Sequence, residues 1–248
     1  MKDPFRLDGR RALVTGANTG IGQAIALGLA RAGAEVVAAA RSPLEETLAL
    51  AAAEGVSVRP MALALDDPLA AAARLAEAGP LDILVNNAGI IRRADAVDFS
   101  EADWDAVIDV NLKAVFFLSQ AFARAAFARA AGGAIVNVAS LLAFQGGIRV
   151  PSYSASKHGV AGLTKLLANE WAAKGINVNA IAPGYIATSN TEALRADPAR
   201  SGAILDRIPA GRWGAAGDIA GAAVFLASPA AAYVHGAILP VDGGWLAR

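Results

Sequence analysis

Short apolar runs rich in Val, Ile, Leu and Ala recur along the chain, separated by stretches in which apolar residues return with helical period. The runs are "RALVTG" from Arg11, "AEVVAAA" from Ala34, "VRPMALAL" from Val58, "LDILVNNAG" from Leu81, "GAIVNVAS" from Gly133, "INVNAIAPG" from Ile176 and "GAILPVDGG" from Gly236. Most lack the polar alternation of a strand with one wet face. They read as strands buried on both faces, as in a parallel sheet covered by helices. Between them lie the expected helices "IGQAIALGLARAG" and "LAAAARLAEAG". Two longer ones follow, "EADWDAVIDVNLKAVFFLSQAFARAAFARAA" and "YSASKHGVAGLTKLLANEWAAKG". Strand and helix alternate from end to end, which predicts an α/β doubly wound fold with a seven-stranded parallel sheet flanked by helices.

No linker, repeat or charge block divides this pattern, so residues 1–248 read as a single domain. The segment 185–213 departs from the alternation: it is long, holds Pro198 and Pro209, and falls where such folds carry a substrate cover.

Composition narrows the function classes. With 55% of 248 residues hydrophobic, the chain can bury a sizeable core. The formal charge is +0, which argues against nucleic acid or an anionic membrane as partner. There is no cysteine, so thiolate catalysis, disulfides and cysteine metal sites are excluded. The 2 histidines, His158 and His235, lack metal-ligand spacing, and no metal is expected. The N-terminal "MKDPFRLDGRRALVTG" has no apolar core of signal-peptide length. The apolar window from Ile219 to Val241 is broken by Pro229, Gly236 and Pro240, and reads as a helix ending near Ser228 followed by a strand. A soluble protein of the cytoplasm is expected.

Candidate chemistry gathers at the predicted strand ends. In "VTGANTGIGQAIALGLA", Gly16, Gly20 and Gly22 follow the first strand and open the first helix. Glycines there permit a tight turn and close approach of a pyrophosphate to helix N–H groups, with Asn18, Thr19 and Ile21 in the same loop. At the end of the fourth strand, Asn86 and Asn87 can tie neighbouring loops while Ala88 and Gly89 leave room for a flat ligand. Cofactor choice is read about twenty residues past the glycine loop. There the chain has Ala40, Arg41 and Ser42 instead of an acid. Arg41 with Ser42 can hold a 2′-phosphate, which favours NADP(H), with NAD(H) also compatible if Arg41 only stacks on adenine or faces solvent.

Tyr153 and Lys157 stand four residues apart in "VPSYSASKHG", on one face of the predicted helix. A free tyrosine titrates near 10, and an adjacent ammonium group favours its phenolate. A drop of about two to three units, roughly 3–4 kcal/mol, would make it an acid–base group at neutral pH.

The motifs "TGANTGIG", "NNAG", the "VNL" holding Asn111, "NVAS" ending at Ser140, "YSASK", "APG" at Ala182 to Gly184 and "VDGG" occur in order along the whole chain. In this the sequence resembles the short-chain dehydrogenase/reductase family. The resemblance implies a Rossmann fold, a homotetramer and hydride transfer with a nicotinamide cofactor. It implies that Tyr153 exchanges the proton with the reacting oxygen, Lys157 tunes Tyr153 and holds the nicotinamide ribose, and Ser140 hydrogen-bonds the reacting oxygen. Asn111 would open its helix slightly and hold a water that links Lys157 to solvent. Pro183, Gly184, Ile186 and Thr188 would cover the nicotinamide. An aspartate near the third strand would contact adenine; "ALALDDP" offers Asp66 and Asp67, and Asp66 is the expected one. The short helix that follows leaves this register open.

Further stretches, "NNAGIIRRADA", "FQGGIRVPSY", "ILDRIPAGRWG" and "VDGGWLAR", are similar to the group of this family described as 2-deoxy-D-gluconate 3-dehydrogenases or 2-dehydro-3-deoxy-D-gluconate 5-dehydrogenases. That likeness implies reversible reduction of the ketone at C5 of 2,5-diketo-3-deoxygluconate, or of a closely related uronate product, among the keto-deoxy sugar acids from pectin or alginate breakdown. Gluconate 5-dehydrogenase and 3-oxoacyl carrier-protein reductase are the neighbouring readings; a non-catalytic dinucleotide-binding scaffold is the remote one. Arg92, Arg93 and Arg149 follow strand ends in a chain without net charge. Arg149, between Ser140 and Tyr153, is the expected carboxylate ligand. Arg92 and Gln145 are further expected substrate contacts, and at least one of the three arginines is expected to pair with an acid such as Asp95 or Glu101.

Overall fold

The structure is a computed structural model and describes residues 3–248. Seven strands form one parallel sheet: β1 Arg11–Thr15, β2 Glu35–Ala40, β3 Val58–Ala62, β4 Ile83–Asn86, β5 Gly133–Val138, β6 Ile176–Pro183 and β7 Ile238–Val241. Nine α-helices accompany them among the described residues: α1 Gly20–Arg31, α2 Glu45–Ala53, α3 Pro68–Ala73, α4 Glu101–Ile108, α5 Ala114–Ala128, α6 Pro151–Trp171, α7 Glu192–Ala196, α8 Pro198–Leu205 and α9 Ala216–Ala227. The sheet order is β3-β2-β1-β4-β5-β6-β7, so the direction of winding reverses between β1 and β4. In open α/β sheets, ligands bind beyond the carboxyl ends of the strands at such a reversal.

Why the strands read as unbroken apolar runs is visible in the core. Val14, Val36, Val136 and Ile181 pack on one face with Ile25 and Leu29 of α1 and Ile219 and Ala223 of α9. Their sequence neighbours Leu13, Val37 and Ile135 point to the other face, against Leu118 and Phe122 of α5 and Leu167 and Trp171 of α6. Asn86 and Asn137, opposed on β4 and β5, are among the polar residues buried in this largely apolar interior. Asn86 Nδ2 donates to Asn137 Oδ1 at 2.9 Å and to Ser119 Oγ at 3.1 Å. Asn137 Nδ2 in turn donates to Thr164 Oγ1 at 3.0 Å, which ties the two central strands to α5 and α6.

Local signals set the helix starts. Asp67 caps α3 with Pro68 in its first turn, and Ser100 caps α4 by accepting from Asp103 N. The alanine-rich run expected as one helix is shorter than expected: α3 ends at Ala73 and a 3₁₀ turn, Arg74–Ala78, finishes it. The long helix expected from Glu101 is interrupted. A π turn, Asp109–Lys113, joins α4 to α5 and contains Asn111. The whole run Glu101–Ala128 is long and apolar enough to cross a membrane by length and composition; here it lies along the sheet, with 44% of its most apolar window buried.

Candidate active site

One cleft of ≈ 380 Å³ opens at the carboxyl ends of the strands. Its first wall is the loop from β1 to α1. At Gly16, φ is +65°, and an added Cβ would sit 3.0 Å from the Ala88 backbone. At Gly22 a Cβ would lie 2.1 Å from the Gly16 oxygen and 2.4 Å from Asn87 Nδ2, so no side chain fits there. Thr19 precedes α1 without capping it, and the first turn carries no acid. The first N–H groups and the positive end of the helix dipole are therefore left to the cleft.

The second wall comes from the turn after β4. Asn87 Nδ2 donates to Thr15 O at 2.9 Å and to Gly16 O at 3.3 Å. Thr15 Oγ1 accepts from the backbone N–H groups of Asn87 and Ala88, both at 3.0 Å. The asparagine thus fixes the glycine loop, as its position at the strand end led one to expect. Thr47 on α2 supports the same loop from below, its buried hydroxyl donating to Ala17 O at 2.8 Å. Nothing in the local sequence around Thr47 announces that role.

Every residue named above for the dinucleotide lines this cleft: Gly16, Asn18, Thr19, Gly20, Ile21 and Gly22 from the first loop, Arg41 and Asp66 at the ends of β2 and β3, Asn87, Ala88 and Gly89, then Tyr153, Lys157, Pro183, Gly184, Ile186 and Thr188. Asp66 lines the cleft, while the Asp67 side chain caps α3. Arg41 is exposed and makes no ion pair among the described residues. Ser189, Asn190 and Thr191 also line the cleft and were not foreseen. They belong to a short 3₁₀ turn at the start of segment 185–213, whose small polar "TSNT" was the only signal.

The reactive end is built from β5 and α6. Lys157 is buried, and its Nζ donates to Val138 O at 2.7 Å. The same Nζ lies 5.5 Å from the centroid of the half-buried Tyr153 ring, within cation–π range. Ser140 accepts from Leu142 N at 3.2 Å, and its hydroxyl favours the ionised form of the Tyr153 phenol. Asn111 sits behind this pair, fully buried in the π turn. Its Oδ1 accepts from Ile90 N at 2.8 Å, and its Nδ2 donates to Ile90 O at 2.9 Å.

Electrostatics depart from the expectation of a phenol lowered by the lysine. Burial pushes the Tyr153 phenol above its ordinary value; the Ser140 hydrogen bond and the charge of Arg93 oppose that rise. Burial also lowers Lys157, to about 8. The physical reason is the dry wall of the cleft, which penalises phenolate and ammonium alike when neither has a counter-charge.

Of the residues expected to meet substrate, Ser140 and Tyr153 line the cleft, and the other three are engaged within the protein. Arg149 does not line the cleft: its Nε pairs with Asp95 Oδ1 at 3.1 Å on the surface, and its φ is +62°. Arg92 Nε likewise pairs with Asp103 Oδ1 at 3.1 Å. Gln145 accepts from Trp245 Nε1 at 3.3 Å and so joins the C-terminal aromatic cluster of Tyr185 and Trp245, whose rings are 4.7 Å apart. Arg93, the third of the arginines noted after strand ends, donates from its Nη2 to Asn190 O at 3.4 Å, and Asn190 lines the cleft.

A glycine-cradled cleft at the sheet reversal, with a tyrosine, a lysine and a serine at its inner end, is the build of a short-chain oxidoreductase. The chain belongs to the short-chain dehydrogenase/reductase family: the family described as enoyl-(acyl carrier protein) reductase matches residues 16–246. Among particular relatives, it is 56% identical over 250 residues to 2-dehydro-3-deoxy-D-gluconate 5-dehydrogenase of Escherichia coli (strain K12), covering 98% of each chain. It is 44% identical over 250 residues to gluconate 5-dehydrogenase of Gluconobacter oxydans (strain 621H), covering 98% of this chain and 96% of that one. Among solved structures, a candidate 2-deoxy-D-gluconate 3-dehydrogenase from Agrobacterium tumefaciens with bound NADP superposes with a TM-score of 0.97 at 71% identity over 100% of both chains.

Proposed function

We propose that this protein is an NADP(H)-using oxidoreductase that interconverts a secondary alcohol and a ketone of a keto-deoxy sugar acid, 2-dehydro-3-deoxy-D-gluconate being the substrate of choice. The observation that carries the reading is the joining, in one cleft, of the glycine cradle with the Ser140–Tyr153–Lys157 group. The relatives' names supply the substrate class, and the neighbour with bound NADP supports the cofactor. Gluconate 5-dehydrogenase activity is the second reading, favoured by the Gluconobacter relative.

The residues fit a dinucleotide. The space where Gly16 and Gly22 lack a Cβ, beside the open N-terminus of α1, suits a pyrophosphate. Arg41 and Ser42, with no acid at the end of β2, would hold a 2′-phosphate, and Asp66 would meet the adenine. A nicotinamide dinucleotide supplies the hydride acceptor or donor when bound there.

Within that frame Ser140 donates a hydrogen bond to the reacting oxygen and Tyr153 gives or takes its proton. Lys157, anchored on Val138 O, holds the ammonium beside the phenol ring and toward the ribose. Asn111 keeps the turn at Ile90 in place behind it. Segment 185–213 acts as the substrate cover, with Thr188 to Thr191 as its inner edge. Half-buried Phe116 and Phe117 on α5 and exposed Leu166 on α6 leave apolar surface on both helices, which supports assembly as a homotetramer. The test is initial-rate turnover of a panel of sugar acids with NADP(H) and NAD(H). Equal rates on neutral ketones that lack a carboxylate would overturn the sugar-acid reading.

A further inference from the structure

Segment 185–213 is held at its roots and has little core of its own, since neither α7 nor α8 buries a residue. Its two ends meet at the base, where Gly214 N donates to Tyr185 O at 2.9 Å and Ala187 N donates to Gly214 O at 2.8 Å. A second anchor comes from segment 242–248, which follows β7. There Gly243 and Gly244 have φ of +66° and +90°, and Asp242 Oδ1 accepts from Gly244 N at 2.8 Å, which folds the segment into a tight turn. The turn presses on residues 206–210. An added Cβ on Gly243 would lie 2.9 Å from Ile208 Cγ2, and one on Gly244 would lie 3.0 Å from Pro209 Cγ. Gly243 O accepts from Ala210 N at 3.0 Å, and Arg248 Nε donates to Arg207 O at 3.1 Å.

Trp245 stands where these parts converge. Its buried ring packs with Leu141 and Ile208 in a small cluster apart from the two faces of the sheet. The Arg207 guanidinium lies over the ring, 4.0 Å from its centroid, and the Tyr185 ring is 4.7 Å away. On the polar edge, Nε1 donates to Gln145 Oε1 at 3.3 Å. Leu141 directly follows Ser140, and Gln145 lies in the same loop. One indole therefore touches both roots of the cover and the loop that carries Ser140.

We infer that Trp245 is a positioning residue: it sets the substrate cover against the Ser140 loop, so enclosure of substrate and alignment of the reacting oxygen depend on one side chain that does not line the cleft. This rests on the proposed function. Loss of the ring frees the cover, whereas the glycine cradle keeps its own supports, Asn87 and Thr47. Substrate affinity and turnover then fall while cofactor affinity stays.

The test compares wild type, Trp245→Ala, Trp245→Phe and Arg207→Gln in steady-state oxidation of 2-dehydro-3-deoxy-D-gluconate, with NADPH affinity read by fluorescence. Limited trypsin cleavage after the exposed Arg195 and Arg200 reports the cover directly. In Trp245→Ala, KM is expected to rise about 10-fold, kcat to fall about 10-fold, and cleavage to quicken about 10-fold, with NADPH affinity within about twofold of wild type. Trp245→Phe keeps the stack on Tyr185 and Arg207 and restores most of the loss. Arg207→Gln removes the exposed cation without opening the buried cluster, and should move KM and the cleavage rate the same way by about threefold. Wild-type KM, kcat and cleavage rate in Trp245→Ala and Arg207→Gln overturn the assignment, as does an equal loss of NADPH affinity. Absence of turnover of any sugar acid by the wild-type protein overturns the proposed function instead, and the cleavage rates still decide whether Trp245 holds the segment.

Discussion

Asn111 clasps both backbone groups of Ile90, accepting from its N–H at 2.8 Å and donating to its carbonyl at 2.9 Å. An asparagine inside a regular helix would spend these groups locally or on solvent. The π turn Asp109–Lys113 turns the side chain instead into the loop that follows the "NNAG" stretch. Gly89 lies in the angle of the clasp, where an added Cβ would meet Asn111 Oδ1 at 3.2 Å and Lys157 Nζ at 3.8 Å.

Asn111→Ala removes the clasp and leaves the part-buried backbone groups of Ile90 without these partners. The expected cost is about 2–3 kcal/mol in unfolding free energy, read from urea titration. Turnover should fall about 100-fold because the wall of the cleft shifts. A variant of wild-type stability would show that the clasp is dispensable.

Lys157 carries a pH signature. Its folded value of about 8 lies below the unfolded one, so the unfolded chain holds the extra proton between about pH 8 and 10.5. Wild-type stability from this group therefore rises with pH across that window, and the burial cost is felt in full below it. Lys157→Met has no such titration. Wild type should gain on Lys157→Met by about 2–3 kcal/mol between pH 7 and pH 10, measured as the difference in denaturation free energies. A difference that does not change with pH would mean that the ammonium is not desolvated.

Tyr153→Phe should lower kcat by about 10³-fold or more, while NADPH affinity stays within about twofold, because the phenol moves a proton and the glycine cradle holds the cofactor. Ser140→Ala removes the hydrogen bond that opposes the rise of the phenol. It should lower kcat about 10²-fold and move the tyrosine limb of the pH–rate profile to higher pH. A limb that moves down, or stays, would disconnect Ser140 from the phenol.

Arg41→Ala should weaken NADPH about 10- to 100-fold and leave NADH within about twofold, as titrated by fluorescence. Equal loss for both cofactors would mean that Arg41 contacts adenine or a shared phosphate instead.

The sequence by itself determined the sheet and the cofactor cleft. Its strands are apolar on both faces because helices cover both, and that pattern survives in any unaligned reading. The glycines of the first loop and the asparagines after β4 were legible because close approach of backbone to ligand tolerates few residue types. The Tyr153–Lys157 spacing was legible because one helical turn fixes it.

Tertiary structure decided what depended on distance between remote segments. Arg92, Arg93 and Arg149 are equivalent in sequence, and only the approach of Asp103 and Asp95 neutralises two of them. Asp66 and Asp67 are adjacent, and only the start of α3 assigns one to a cap. The phenol's shift reversed sign against expectation because burial, a sum over all surrounding atoms, outweighs any one neighbour four residues away. Motifs record what the backbone must permit; charge pairing and desolvation are set by the fold as a whole.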